Sequence, residues 1–242
     1  MKKYALSMAI FVAAVIGNAQ AQSEASESKS NPGGIYLRGG YNLANISIND
    51  NGGVNDAKGL SSFHAGFIAD IPVASIVSVQ TGLLLNGQGA KSNTYFTSST
   101  TSNYVKSSFR PLYLQVPLNL AIKFPLAPDT RLFVAGGPYV EMGLSGRSTS
   151  ETNIGGVVTN SSSDIKYNND NPTTSAQEDA SYDKLKRFDF GLNFGGGIEF
   201  KNFMLGINYG LGLTKINSTQ TNNSANDNNK YRTWGIGVGF KI

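Results

Sequence analysis

From residue 35 to the last residue the chain returns again and again to a period of two. In "MLGINYGLGLT" the residues Leu205, Ile207, Tyr209, Leu211 and Leu213 alternate with Gly206, Asn208, Gly210 and Gly212. In "WGIGVGFKI" Trp234, Ile236, Val238, Phe240 and Ile242 alternate with Gly235, Gly237, Gly239 and Lys241. Six earlier stretches repeat the pattern: "IYLRGGYNL", "FHAGFIADI", "VSVQTGLLL", "LYLQVPLNLAIKF", "LFVAGGPYVEMGL" and "FDFGLNFGGGIEF". Strict alternation over this length marks a two-sided strand, so the chain predicts eight strands and no long helix.

The connections sort the ends of these strands. Strands two and three are joined by "PVASI", four and five by "PLAPDT", and six and seven by "KN", all turn-forming. The other connections, near 44–62, 87–108, 145–184 and 215–232, are long and rich in Ser, Thr, Asn and Gly. Short and long ends alternating along an even number of strands describe an up-and-down barrel. In every strand one register clears all charge from the apolar face. A soluble barrel is greasy inside and charged outside. Here that orientation would expose walls of Gly and Asn and crowd Phe188, Phe190, Phe194, Phe200 and Trp234 into the lumen. The inverse, with apolar side chains on lipid, is the transmembrane arrangement. The expected fold is an all-β, eight-stranded antiparallel transmembrane barrel with short periplasmic turns and long extracellular loops.

The N-terminus agrees with export. Lys2 and Lys3 precede an apolar run from Tyr4 to Ile16, and Ala19-Gln20-Ala21 fits a small-x-small cleavage rule. The run is short of the ~20 residues that a spanning helix needs. The expected organisation is a signal peptide over 1–21, a polar periplasmic tether over 22–33 and a barrel over 34–242. Of the formal charge of +4, two units belong to Lys2 and Lys3, and no basic cluster marks a nucleic-acid site. The chain has no cysteine, which excludes disulfide scaffolds and thiolate metal sites. Charged residues make up only 15% of it.

The registers assign the remaining polar groups. Arg38, His64, Asp70, Lys123, Glu141, Asp189, Glu199 and Lys241 should face the lumen as a polar network. Arg38, Asp70, Lys123, Glu199 and Lys241 would lie toward the turns, and His64, Glu141 and Asp189 toward the loops. An unpaired buried charge is costly, so this near-balanced set is expected to pair in layers and plug a narrow barrel. The glycines of strands six to eight leave one wall nearly bare. Tyr36, Arg38, Tyr113, Gln115 and Tyr139 are expected to cross over and cover it; a slender cavity is the alternative. Phe124, Phe200 and Phe203 near the turns, and Tyr41, Phe63, Phe188, Tyr231 and Trp234 near the loops, would form the two aromatic girdles. Closure is obligatory in hydrocarbon, so the last strand must pair with the first. Pro117 interrupts the fourth strand and calls for a bulge or kink.

Specific chemistry is sparse. "GIGVGF" lacks the following helix of a phosphate loop. "NDNGGVND" (49–56) and "YNNDN" (167–171) offer oxygens without the ligand spacing of a known calcium loop. His64, beside Ser61 and Ser62, is the one candidate for a lipid A-modifying centre, but it points inward rather than toward acyl chains. No enzyme activity, cofactor or metal is expected.

The stretch "PLYLQVPLNLAIKFP" (111–125) resembles the strand-four hallmark of the PorT-like outer-membrane β-barrels of Bacteroidetes, a Tyr-Leu-x-hydrophobic-Pro-Leu run ending in Lys and an aromatic. "GGIYLRGGYNLA" and "NFGGGIEF" also resemble that family. The resemblance implies a small barrel in the bacterial outer membrane and transfers no catalytic residue. Expected partners are outer-membrane lipid, the barrel-assembly machinery that reads endings such as "GFKI", and envelope or secretion proteins. The leading expectation is a structural or surface-recognition role through Ser/Asn-rich extracellular loops. A type IX-like secretion accessory, a lipid A-modifying enzyme and a narrow channel are the alternatives.

Overall fold

The computed structural model describes residues 32–47, 57–98, 101–168, 184–216 and 229–242. The predicted signal peptide, nearly all of the tether, "NDNGGVND" but for its neighbours, and most of "YNNDN" lie outside the described residues. In chain order the strands are β1 (Gly34–Ile46), β2 (Leu60–Pro72), β3 (Val77–Gly87), β4 (Ala90–Ser98), β5 (Thr101–Ala127) and β6 (Thr130–Ile154). They continue with β7 (Val157–Asp164), the two-residue β8 (Lys166–Tyr167) and β9 (Lys184–Leu185), then β10 (Phe188–Phe200), β11 (Phe203–Gly212) and β12 (Tyr231–Lys241).

Eight of these form a closed ring in the order β1, β2, β3, β5, β6, β10, β11, β12, all antiparallel. The closing pair runs from Tyr36↔Lys241 to Ile46↔Tyr231 and leaves the ring no open edge. One face of each strand is exposed and apolar, and the other is turned into the ring. On β12 the exposed residues are Trp234, Ile236, Val238 and Phe240, while Gly235, Gly237 and Gly239 are buried. On the outside near the turns, Phe203 packs between Phe200 and Phe240, with ring centroids 6.5 and 5.2 Å away. Trp234 packs on Tyr209 at 4.7 Å.

Two of the four long connections, 87–108 and 145–184, depart from the expectation of plain loops. Residues 90–98 pair with 101–109 as β4 and the head of β5. The tail of β6 pairs with that head on one side and with β7 on the other. Strand β5 is 27 residues long, whereas about 9–11 residues cross a bilayer. A four-stranded sheet, β4–β5–β6–β7, therefore stands clear of the barrel on its loop side. The turn from β6 to β7 is Gly155-Gly156, with φ of 60° and 87°, the two positive values that a tight two-residue hairpin requires. At the root of this sheet β6 carries a bulge. Tyr113 pairs with Gly143 but Leu112 with Ser145, so Leu144 is an extra residue. Exposure falls on even positions below it (Val140, Leu144) and on odd ones above it (Ser145, Arg147, Thr149). Pro117 shows no such shift. The pairing of β5 with β3 skips it, between Thr81↔Leu118 and Leu84↔Gln115, and resumes in the same register.

Candidate functional site

The turn-side half of the lumen is held by one ionic triad. Lys123 Nζ on β5 lies 2.5 Å from Asp70 Oδ2 on β2 and 2.7 Å from Glu199 Oε2 on β10, and all three side chains are buried. Strands β2 and β10 lie on opposite arcs of the ring, so Lys123 ties the two walls together across the lumen. Around it, Gln80 Nε2 donates to Asp70 (3.1 Å) and Tyr36 Oη to Glu199 (3.1 Å). Tyr36, Phe133 and Met204 fill the remaining space.

The loop-side half is built differently. Glu141 and Asp189 are directly paired across β6 and β10, and both are buried. Neutral donors serve both. Asn86 Nδ2 (2.6 Å) and Gln88 Nε2 (3.2 Å) serve Glu141, and Tyr139 Oη (3.2 Å) and Thr214 Oγ1 serve Asp189. His64, 5% exposed, extends this network. The Asn42 amide nitrogen donates to Asn86 Oδ1 (2.7 Å), so its oxygen is the acceptor that faces His64 Nδ1 at 2.8 Å. That places a proton on Nδ1. The other ring nitrogen has no hydrogen-bond partner among the described residues and lies against Gly237, where a Cβ would come within 2.6 Å of it.

The expectation of paired ionic layers thus needs correction. Arg38 donates to the neutral Asn208 (3.2 Å) and Lys241 Nζ to the backbone oxygen of Pro32 (2.5 Å). Buried amides take the place of countercharges because an uncharged donor satisfies a carboxylate oxygen without a second ion to desolvate. Tyr139 lies over Gly191, Phe133 over Gly206 and Tyr36 over Gly239, covering much of the glycine wall. Between the two polar layers a cavity of ≈50 Å³ remains, lined by Arg38, His64, Gln80, Asn86, Gln115, Asn193 and Asn208. It has room for a few water molecules.

The loop-side mouth is covered by an apolar cap that the sequence pattern did not indicate. Ile46, Phe109, Tyr113, Ile165, Leu185, Ile216 and Tyr231 form one buried cluster. Three of these, Ile165, Leu185 and Ile216, lie outside the eight ring strands. Backbone hydrogen bonds fold them inward, from Lys186 N to Ile216 O (2.8 Å) and from Ile165 N to Gly146 O (2.9 Å). Tyr231 is 1% exposed and bonded through its hydroxyl to Tyr113 (3.2 Å), so it belongs to the cap and not to an outer girdle. Ser61 is on the outer side of β2, bonded to Tyr41 Oη at 2.8 Å, away from His64.

The outward face of the extracellular sheet is ordered in rows by its register. Arg110, Arg147 and Asp164 form the lowest row; Lys91, Ser108, Thr149 and Ser162 the next; then Asn93, Lys106, Glu151 and Asn160; then Tyr95, Tyr104, Asn153 and Val158. Lys106 Nζ is 3.0 Å from Glu151 Oε1 and 4.2 Å from the Tyr104 ring centre, and Tyr95 and Tyr104 are 6.1 Å apart. The Lys106 ammonium that bonds Glu151 holds its carboxyl below the usual carboxylate range, with a second hydrogen bond from Tyr104. A concavity of ≈550 Å³ lies over the second and third rows.

The sequence profile of the family described as "Outer membrane protein beta-barrel domain" matches residues 19–218. The chain belongs to this family. It is an outer-membrane β-barrel, located in the bacterial outer membrane and surrounded by its lipid. Solved barrels of similar form include Ail, the attachment invasion locus protein of Yersinia pestis (14% identity, 87% of this chain and 99% of that one, TM-score 0.37). Neisserial surface protein A matches at 11% identity over 86% of this chain and 97% of its own, with a TM-score of 0.40. The N-terminal barrel domain of Pseudomonas aeruginosa OprF matches at 10% over 85% and 97%, with a TM-score of 0.29. A comparison with curated proteins finds no match.

Of the residues expected to face lipid, Leu205, Ile207, Leu213, Trp234, Ile236, Val238 and Phe240 are exposed, and Tyr209 and Leu211 are half-buried on the same side. The neutral lumen residues Asn42, Asn86, Gln88 and Thr233 join this network although they carry no charge to mark them in the sequence. Their inward parity was the available signal for Asn42 and Thr233.

Proposed function

We propose that the barrel does no transport and no catalysis, and that its working part is the β4–β7 sheet, which presents a recognition surface outside the cell. One observation carries this reading: the lumen is filled by a cross-wall triad below and an apolar cap above, while four strands stand free beyond the membrane. Ser61 and His64 lie on opposite faces of β2, which speaks against that pair as a nucleophile and its base. The hallmark at 111–125 supports a place among PorT-like barrels. A secretion accessory is the second reading on that same resemblance; loss of secreted substrates in a deletion strain is its sign.

Two experiments test the proposal. In planar bilayers the purified barrel gives no unitary conductance; discrete steps would overturn the closed lumen. Replacing 92–107 and 148–163 by tight turns leaves a barrel that still shifts on unboiled gels but no longer complements a deletion strain. Full complementation by the trimmed barrel would remove the sheet as the working part.

A further inference from the structure

We infer that the base of the extracellular sheet is a docking surface for the phosphorylated sugar headgroup of an outer-leaflet glycolipid of the barrel's own membrane. The inference goes beyond the recognition reading, because it concerns lipid held in cis beneath the sheet, whatever its tip binds. It begins with side-chain parity. Phe109 and Ala90 are buried in the cap, so their neighbours Arg110 and Lys91 must point the opposite way. Gly146 faces Ile165 of the cap, which likewise sends Arg147 outward. That outward face continues without interruption from the lipid-facing residues Leu112 and Leu114 of β5, one strand turn below Arg110.

Height along the strand then fixes what each row meets. Immediately above the last outward apolar residues, Leu112 and Leu144, come Arg110 and Arg147, directly paired across β5 and β6, with Lys91 in the row above. The only carboxylate in the lowest row is Asp164, 3.8 Å from Arg147, and both are largely exposed. Two guanidinium groups held side by side repel each other, and an anion between them removes that repulsion. Arginine forks match phosphate oxygens two at a time. Higher up, the ≈550 Å³ concavity is lined by Ser108, Thr149, Asn160 and Ser162, which offer both donors and acceptors, and by Lys91 and the Lys106–Glu151 ion pair. Beyond them, Tyr95 is exposed and offers a ring face to which the C–H face of a pyranose can stack, while Lys106 lies over its neighbour Tyr104. Cation below, hydroxyl and amide in the middle, aromatic above is the order of phosphate and sugar in a phosphorylated glycolipid standing upright in the outer leaflet.

The test uses the full-length mature barrel in phosphatidylcholine nanodiscs and fluorescent deep-rough lipopolysaccharide as the probe. The wild type binds the probe about tenfold more tightly than its dephosphorylated form, the equivalent of about 1.4 kcal/mol. Arg110→Ala with Arg147→Ala abolishes that preference, and Arg110→Lys with Arg147→Lys restores part of it. Unboiled gels check that each variant is folded. Millimolar inorganic phosphate does not compete, since the sugar contributes to binding; full competition by free phosphate would make this an anion site and overturn the lipid assignment. Retention of the preference by the double alanine variant, or its absence in the wild type, would overturn the inference. Neither result touches complementation by the trimmed barrel, so the two proposals fail separately.

Discussion

Replacing Lys123 by methionine isolates the contribution of the cross-wall triad. Methionine keeps most of the stem's volume and removes the ammonium that lies 2.5 Å from Asp70 and 2.7 Å from Glu199. All three side chains are inaccessible to solvent, so water cannot replace the lost partner. Removing one member of a buried ion pair costs about 3–5 kcal/mol, because the other charge stays buried and uncompensated. Here two carboxylates are stranded, which puts the expectation at the upper end. With a urea slope of about 2 kcal/mol per molar, the midpoint falls by about 1.5–2.5 M. The assay is reversible urea unfolding in detergent micelles, followed by Trp234 fluorescence and by the gel shift. A triple variant, Lys123→Met with Asp70→Asn and Glu199→Gln, removes every charge and should recover to within about 2 kcal/mol of the parent. A loss below about 1 kcal/mol in the single variant, or a triple variant as weak as the single, would refute the claim that electrostatics joins the two walls.

Three further expectations follow from particular residues. Ile207→Arg on the lipid face should cost about 2–4 kcal/mol, read from urea titration of folding into vesicles. Tyr231→Ala should cost about 3–5 kcal/mol by emptying the centre of the cap, whereas Tyr231→Phe removes only its hydroxyl link to Tyr113 and should cost about 1 kcal/mol. Glu151 should titrate below the usual carboxylate range by side-chain carbon NMR, and Lys106→Ala should return it toward that range. The sign is fixed by the depressed value: the pair's contribution is present at neutral pH and is lost as pH falls through the Glu151 midpoint.

The barrel was legible because lipid imposes one rule on every strand. An apolar face that must carry no charge shows up as clean alternation, and the eight ring strands answer to it. The extracellular sheet obeys no such rule. From Lys91 to Thr94 and from Ser145 to Asn153 both faces are polar, so a strand there looks like a loop, and the bulge at Leu144 breaks the period. The Gly155-Gly156 pair between "ETNI" and "VVTN" was the one local hairpin signal available. The cap was hidden for another reason. Ile165, Leu185 and Ile216 are single apolar residues in polar surroundings, and only the closed ring brings them to one mouth. In the lumen, parity placed the charged groups, but it could not say that amides rather than ions would answer Glu141 and Asp189. That choice is made across strands far apart in sequence.

The single additional residue at Leu144 has a consequence for how the molecule can change over time. Because side chains reverse sides at each step, that insertion sets which flank of everything beyond it looks outward. Remove it, and Arg147, Thr149 and Glu151 would turn toward the cap while Ser148 and Ser150 took their places. The segment above is therefore interchangeable in content but not in phase. Substitutions there act one side chain at a time, whereas a one-residue slip at the root would turn every outward residue of the segment at once.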